Sequence, residues 1–243
     1  MTHSAQPSLS NKLVAEAIGT FLLLFAGTGA VAANSATGAV THVGVALVWG
    51  LAVWAMVAAI GDVSGAHMNP AVTLAFWVDR RIGGRMAIAY VIVQCATAIV
   101  ASLAVRALSP PGAALGGTRP AGITPLQCCV YEFILTGGLL FVVLGVSTGA
   151  KEKGLTAGLA VGAMVGLEAL FAGPVTGASM NPARSLGPAV VGGEFGALWI
   201  YWVGPPAGAL AAVAINRILR PAEDRRDAND RDDELQRNDD EQK

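Results

Sequence analysis

The tripeptide Asn-Pro-Ala occurs twice in the chain, and it is the pattern best suited to act on a small molecule. The two copies are Asn69-Pro70-Ala71 and Asn181-Pro182-Ala183. Asparagine is a favoured N-cap because its side-chain oxygen accepts a free backbone N–H of the first helical turn, and proline fits the first helical position. The side-chain amide N–H groups then stay free to donate. Each copy therefore predicts a helix start that presents a hydrogen-bond donor.

Each motif opens an apolar run that is too short to cross a bilayer. The runs cover about residues 69–78 and 181–191, and ten residues of helix extend only about 15 Å. Irregular backbone at membrane depth is tolerated where it is buried in protein or lines a cavity, which two half-helices meeting head to head would satisfy. Each helix start carries about half a positive charge. We expect the pair to orient a small polar molecule such as water and to repel a cation.

The rest of the chain has the composition of a membrane protein. Of its 243 residues, 53% are hydrophobic and 14% are charged, with a mean hydropathy of +0.55, whereas soluble domains carry about 25% charged residues. Six segments approach or exceed the 20 or so apolar residues that a crossing helix needs: about 12–33, 40–60, 86–107, 126–147, 155–173 and 196–219. The predicted fold class is an all-α membrane protein with six transmembrane helices and two re-entrant half-helices.

The two halves of the chain repeat each other. Glu16 opens the first half and Glu132 the second, and each half later reads Gly-Ala-x-Met-Asn-Pro-Ala. Each half holds three full spans, an odd number, so the copies must be inverted relative to each other. Inverted repeats place a functional site near the midplane, between broken helices. Gly154, Gly158, Gly162 and Gly166 recur every four residues in the fifth span, a spacing that lets helices pack closely in lipid.

The basic residues indicate the orientation of the spans. If six spans alternate, one side receives Lys12, Arg80, Arg81, Arg85, Lys151, Lys153, Arg217 and Arg220, and the other receives Arg106 and Arg119. The positive-inside rule then places both termini in the cytoplasm, as expected for a multi-pass protein of the cell membrane. We predict a cytoplasmic segment 1–11, a channel-like domain 12–219 (repeats about 12–107 and 126–219) and a charged cytoplasmic tail 220–243 that lacks the apolar residues for a core.

These motifs resemble those of the major intrinsic protein family, the aquaporins and glycerol facilitators, over about residues 12–219. The resemblance implies an aquaporin-like bundle with one passive pore per subunit, assembled as a homotetramer in the lipid bilayer. It implies that Glu16 and Glu132 lie beneath the two re-entrant loops and accept their backbone N–H groups. His67 resembles the family's loop-supporting histidine, with a polar pore-lining role as the second interpretation.

The resemblance also identifies a selectivity filter. Arg184 matches the family's filter arginine, and Trp49, Ala169 and Ala178 complete the ring. Water-selective members carry a histidine where this chain has Ala169, and usually phenylalanine where it has Trp49. Replacing an imidazole by a methyl group widens the ring and lowers its polarity. This filter predicts passage of glycerol-like polyols as well as water.

Other residues fit a water channel better. Ser185 stands where glycerol facilitators typically carry aspartate, Ala189 where they carry a base, and Tyr201-Trp202 is the water-channel pattern. The combination most resembles the nodulin-like branch and its bacterial relatives, which is associated with water, glycerol and undissociated metalloid acids. Strict water selectivity is therefore the alternative.

Two acids depart from the family pattern. Asp62 stands where a histidine often precedes the first loop, and Glu168 lies next to the filter position Ala169. Intramembrane acids are costly and often functional. Glu168 either shapes the outer vestibule or bonds a neighbouring helix.

Other functional classes fit the sequence less well. A secondary transporter also uses inverted repeats, but it needs a coupling-ion or proton site at the midplane, and we see no carboxylate near either Asn-Pro-Ala. An enzyme is disfavoured because His3, His42 and His67 form no cluster with a nucleophile or a second metal ligand. We therefore expect no catalytic residue, metal or cofactor, no nucleic-acid partner, and passage of small neutral solutes without ions or protons.

Overall fold

The chain folds into a bundle of helices. The computed structural model describes residues 7–147 and 155–220, and these contain eight helices and no strand. The helices are α1 (Leu9–Thr37), α2 (Thr41–Ser64), α3 (Pro70–Val78), α4 (Gly84–Leu108), α5 (Pro125–Val146), α6 (Leu155–Thr176), α7 (Pro182–Gly192) and α8 (Leu198–Leu219). All but α3 and α7 are long and apolar enough to cross a membrane. The prediction of six spans and two half-helices is confirmed.

Several sequence expectations concern positions outside the described residues. They are the tail beyond Arg220, the first residues of the N-terminal segment, and the positions Lys151, Lys153 and Gly154.

Several of the spanning helices extend beyond the apolar segments that predicted them, whereas α5 is only shifted by one residue and α8 begins two residues later. The predicted first span was 12–33, but α1 begins after Ser8, whose side chain accepts the N–H of Asn11, and ends at Gly38 in the left-handed conformation. Capping residues rather than hydropathy fix these ends. In the same way α5 begins with a capping box, in which Thr124 and Gln127 exchange hydrogen bonds. Hydrogen bonds of the capping residues therefore fix helix ends that an apolar segment alone does not locate.

The two repeats interlock through their half-helices. Within each repeat the long helices pack on one another, α1 against α2 and α4, and α5 against α6 and α8. Between repeats, α2 packs against α6, α3 packs against α8, and α7 packs against α4. Each half-helix thus lies against a long helix of the other repeat, and this arrangement brings both Asn-Pro-Ala motifs to the centre of the bundle.

Glycine makes the contact between α2 and α6 possible. A Cβ atom added to Gly162 would lie 2.5 Å from the backbone oxygen of Gly50, and one added to Gly50 would lie 2.6 Å from the oxygen of Gly162. On the next turn, Gly158 lies against the indole and backbone of Trp54. Because the backbones themselves touch, no side chain fits between the two helices.

Candidate functional site

Asn69 and Asn181 cap the two half-helices. The side-chain oxygen of Asn69 accepts the N–H of Ala71 at 2.9 Å. That of Asn181 accepts the N–H of Ala183 at 3.0 Å. A proline occupies the first helical position in each case. The local geometry of the two motifs is therefore the same.

The same two asparagines also join the loops to each other. The Asn69 side-chain amide donates to the carbonyl of Met180 at 2.8 Å. The Asn181 amide donates to the carbonyl of Met68, also at 2.8 Å. An amide has two hydrogens, so one on each asparagine is used in the cross-link. One amide hydrogen on each asparagine therefore remains as a possible donor to the pore, which is fewer than the sequence suggested.

The loops that precede the asparagines share an unusual backbone. Gly65 and Gly177 have φ of 83° and 85°. Four non-glycine residues also have positive φ: Ala66 at 48°, Met68 at 50°, Ala178 at 39° and Met180 at 52°. Side chains rarely adopt this region, and each such residue costs about 1–3 kcal/mol unless its surroundings hold it. The loops therefore need external partners.

Glu16 holds the first loop from below. Its carboxylate accepts the backbone N–H groups of His67 and Met68 at 2.8 and 2.7 Å. The hydroxyl of Ser64 and the side-chain amide of Gln94 donate to it as well, both at 2.8 Å. The carboxylate is fully buried, and these four donors satisfy it.

Glu132 holds the second loop in the same way. Its carboxylate accepts the backbone N–H groups of Ser179 and Met180 at 2.9 and 2.8 Å, and the hydroxyl of Thr176 at 2.7 Å. The expectation that no carboxylate lies near an Asn-Pro-Ala was wrong, because the fold brings Glu16 and Glu132 beside residues adjacent to both asparagines. Neither glutamate lines the central cavity, and both are engaged by the loops.

A pair of tyrosines also supports the loops. Tyr90 donates to the carbonyl of Ser64 at 2.9 Å. Tyr201 donates to the carbonyl of Thr176 at 2.6 Å. Both are fully buried. Sequence reasoning treated Tyr201 only as a subfamily marker and missed Tyr90, although the two follow their Asn-Pro-Ala motifs at nearly equal spacing.

His67 contacts the first half-helix and the central cavity. Its Nδ1 lies 3.1 Å from the hydroxyl of Thr73, and its ring packs against Phe76 and Tyr90, with centroids 4.5 and 5.2 Å apart. His67 also lines the central cavity.

A cavity of about 150 Å³ lies within the bundle, and we call it the passage. Asn69 and Asn181 line it, as do Phe76 and Ser147. The side chains contributed by α6 are Ala157, Val161, Val165 and Ala169, one residue per turn. The lining is therefore mostly apolar, and the two asparagines are among its few polar groups.

The same cavity is lined by the four predicted filter residues, Trp49, Ala169, Ala178 and Arg184, and each of them is at least nine-tenths buried. The Arg184 guanidinium lies over the Trp49 ring, 4.6 Å from its centroid, and donates to the carbonyl of Gly116 at 2.6 Å. Gly27 leaves the space that the indole fills. Ala169 and Ala178, which complete the predicted ring, contribute only methyl groups.

A chain of hydroxyls behind the second half-helix was not anticipated. Thr118 donates to Ser185 at 2.8 Å, and Ser185 lies 2.6 Å from the hydroxyl of Ser179. Ser185 is fully buried and does not line the cavity. Its position therefore bears on loop packing rather than on the width of the passage.

The two unusual acids lie away from the passage. Asp62 is exposed near the end of α2. Glu168 is 2% exposed, does not line the cavity, and lies against Gly138 of α5. Its carboxylate forms no hydrogen bond within residues 7–147 and 155–220. The geometry gives neither of its expected roles, since it reaches neither the vestibule nor a partner on the adjacent helix.

The comparisons with known proteins agree with this geometry. The profile of the family described as Major intrinsic protein matches residues 3–216. Aquaporin NIP1-1 of Oryza sativa subsp. japonica is 51% identical over 211 residues, covering 86% of this chain and 74% of the relative. Nodulin-26 of Glycine max is 46% identical over 211 residues, covering 86% and 78%.

A solved structure is similar over almost its whole length. The X-ray structure of the aquaglyceroporin from Plasmodium falciparum superposes with a TM-score of 0.78 at 27% identity, covering 88% of this chain and 98% of that one. The likeness extends to both repeats and both half-helices.

Proposed function

The chain belongs to the major intrinsic protein family of membrane channels, and on that premise we propose that it passes water and glycerol-sized neutral solutes passively through the bilayer. One observation supports the proposal: the Arg184 guanidinium lies over the Trp49 ring, 4.6 Å from its centroid, and both residues line the same cavity as Ala169 and Ala178, whose side chains are only methyl groups. An apolar wall, fixed donors and an open side are what a small polyol requires.

The chemistry of glycerol matches this ring. Its carbon backbone needs an apolar surface, which the Trp49 indole provides. Its hydroxyls need donors, because an unpaired hydroxyl stripped of water costs about 2 kcal/mol or more, and Arg184 provides them in a fixed planar fork. The name aquaglyceroporin carried by the similar structure supports a solute of this size. Urea and undissociated metalloid acids are further neutral candidates.

Exclusion of ions and protons follows from the charges along the passage. Two helix N-termini meet at the asparagines, each with about half a positive charge, and Arg184 adds a full charge at the filter. The remaining amide hydrogen of Asn69 and of Asn181 donates to the oxygen of a passing molecule. A cation meets repulsion at both positions, whereas a neutral molecule exchanges its hydration for donors on the wall.

We propose an orientation and an assembly from the same reasoning. Arg81 and Arg217 converge on Asp79 at one end of the bundle, and the excess of basic residues on that side assigns it to the cytoplasm, with both termini. The cell membrane is the proposed location, and the family's homotetramer is the proposed assembly. Exposed apolar side chains on the long helices, such as Ile88, Ile92 and Ile134, suit contact with lipid or another subunit.

The test is osmotic and uses no ion gradient. Purified protein in liposomes is exposed in stopped flow to gradients of sucrose, glycerol, urea and boric acid, with empty liposomes as the control. A passive channel of this kind speeds both water exit and glycerol entry. Glycerol entry that is no faster than in empty liposomes would favour the alternative, a strictly water-selective channel. Solute entry that requires an ion gradient would identify a transporter.

A further inference from the structure

A second cavity lies at the outer end of the bundle, away from the passage. It has a volume of about 710 Å³ and is enclosed by the end of α4, the loop that follows it, and the end of α7. We name it the outer cavity. Two charged side chains line it, Arg106 from the last turn of α4 and Glu194 from just beyond α7. Neither takes part in the passage or its filter.

The two charges are held in place but are not paired with each other. Arg106 donates one N–H to the carbonyl of Val191 at 2.6 Å. The backbone of Glu194 is fixed by its N–H bond to Ala189 at 3.0 Å, and its carboxylate lies close to Gly117 of the loop. Within the described part of the chain, no hydrogen bond or ion pair joins Arg106 to Glu194. The cavity therefore separates a hydrogen-bonded arginine from a glutamate whose backbone position is fixed.

The surroundings of the outer cavity place it at the membrane surface. Helix α4 is long enough to cross the hydrocarbon, so its last turn reaches the headgroup layer. Leu103 and Leu108 of that helix are 52% and 75% exposed. Phe195 and Trp199, just after Glu194, are 55% and 48% exposed, as is typical of aromatic residues at a membrane interface. A molecule in the cavity thus lies beside acyl chains.

We propose that the outer cavity binds the headgroup of a zwitterionic phospholipid bearing a primary amine, with its phosphate at Arg106 and its ammonium at Glu194. An anionic headgroup would leave Glu194 facing a like charge. A quaternary ammonium has no N–H to donate to the carboxylate, whereas a primary ammonium forms charge-assisted hydrogen bonds. The exposed leucines and aromatic residues cover the start of the acyl chains.

Occupation of the outer cavity also steadies the filter. Leu115 and Gly117 line the cavity, and Gly116 between them accepts the hydrogen bond from Arg184. A headgroup against this loop therefore restricts the segment that positions the filter arginine.

Lipid retention tests the proposal directly. The full chain is reconstituted in bilayers of equal parts phosphatidylethanolamine, phosphatidylcholine and phosphatidylglycerol, extracted in mild detergent, and the lipids that remain bound are quantified by mass spectrometry. Wild type retains phosphatidylethanolamine about fivefold over the other two, as expected of one hydrogen bond between charged groups in a partly exposed site. Glu194→Gln lowers this to the level of phosphatidylcholine. Arg106→Gln lowers the retention of both zwitterionic lipids. Arg119→Gln, on the same side of the protein, leaves the retention of all three lipids unchanged.

Hydrogen exchange of residues 109–118 supplies a second readout that does not depend on conduction. Exchange in wild type is slower in phosphatidylethanolamine bilayers than in phosphatidylcholine bilayers, and Glu194→Gln removes the difference. Equal retention of the three lipids by wild type, or unchanged preference in Glu194→Gln, contradicts the proposal. If soluble phosphoethanolamine slows exchange equally in phosphatidylcholine bilayers, the ligand is a free phosphoamine and the lipid assignment is wrong.

Discussion

Asn69 and Asn181 are tied to each other's loops by a reciprocal pair of hydrogen bonds. Each side-chain amide donates to the carbonyl of the methionine that precedes the other asparagine, at 2.8 Å in both directions. Each asparagine thus caps a half-helix with its oxygen and fixes the opposite loop with one hydrogen, which leaves one hydrogen that can donate to a molecule in the cavity. We therefore expect the stability of the loops and the proposed conduction of water to depend on the same two side chains.

Asn181→Asp separates these roles. Aspartate keeps the capping oxygen but has no hydrogen for the carbonyl of Met68, and it brings a negative charge to that carbonyl. We expect water permeability to fall at least about tenfold and stability to fall by about 2–3 kcal/mol, the cost of an unsatisfied buried carbonyl facing a charge. Permeability is measured by stopped-flow shrinkage at matched protein density.

The matched control for this variant is Asn34→Asp. The side-chain oxygen of Asn34 accepts the N–H of Thr41 at 2.7 Å, and aspartate preserves that bond. Wild-type water flow in well-folded Asn181→Asp would show that the amide donor is dispensable.

Glu132 and Glu168 are both buried glutamates, but substitution by glutamine should affect the stability of the protein differently at the two positions. Glu132→Gln replaces an acceptor by an amide group facing the N–H groups of the second loop, so we expect a loss of about 2–4 kcal/mol from hydrogen bonds to a charged group. Glu168→Gln loses no hydrogen bond to the described residues, and we expect little change or a gain. Thermal unfolding in detergent measures both. A larger loss in Glu168→Gln than in Glu132→Gln would contradict this assignment of the loop support.

The close contact of α2 and α6 at their glycines can be tested with a second pair of variants. Gly162→Ala drives a methyl group into the backbone of Gly50, so we expect a loss of about 2 kcal/mol or more and poor recovery of folded protein. Gly29→Ala adds the same methyl group in α1, where nothing lies within 4 Å, and should be neutral or slightly stabilising. Size-exclusion profiles and unfolding temperatures of the two variants provide the comparison. Equal behaviour would show that the close approach of the helices is not required.

Proton exclusion is predicted from the two helix N-termini and Arg184. Liposomes loaded with a pH-sensitive dye should lose a pH gradient no faster with wild-type protein than without it, while the same vesicles conduct water rapidly. Gramicidin, a proton-conducting channel, serves as the positive control. Collapse of the gradient at rates near those of water flow would overturn the proposed barrier.

The architecture could be predicted from the sequence because each helix is specified by residues that are adjacent in the chain. An Asn-Pro-Ala before a short apolar run specifies a capped half-helix, and six apolar runs specify six spans. The partners of the loops are less visible, since Glu16 and Met68 are far apart in the chain and meet only in the folded bundle. That distance is why the contacts of Glu16 and Glu132 with the loops were expected only from the family resemblance and not from the residues alone.

Some contacts of the candidate site had no counterpart in the sequence analysis. Gly116, which accepts the Arg184 hydrogen bond, lies in a loop with no motif, and the role depends on a backbone carbonyl that any residue possesses. Gln94 has no equivalent in the second repeat, where proline occupies the corresponding part of α8. The position of Glu168 outside the passage likewise could not be predicted, because it depends on how α6 is oriented against Gly138 of α5.

The ratio of glycerol to water permeability in Ala169→His is the most direct test of the proposed filter. An imidazole at this position projects into the open side of the ring, opposite Arg184 and Trp49, where the wild type has a methyl group. Ala169→Ser is the control, because it changes the side chain while leaving the ring wide. We predict that wild type and Ala169→Ser admit glycerol and that Ala169→His lowers the glycerol-to-water ratio at least about tenfold. Wild-type vesicles that exclude glycerol, or a ratio that histidine leaves unchanged, would contradict the filter assignment.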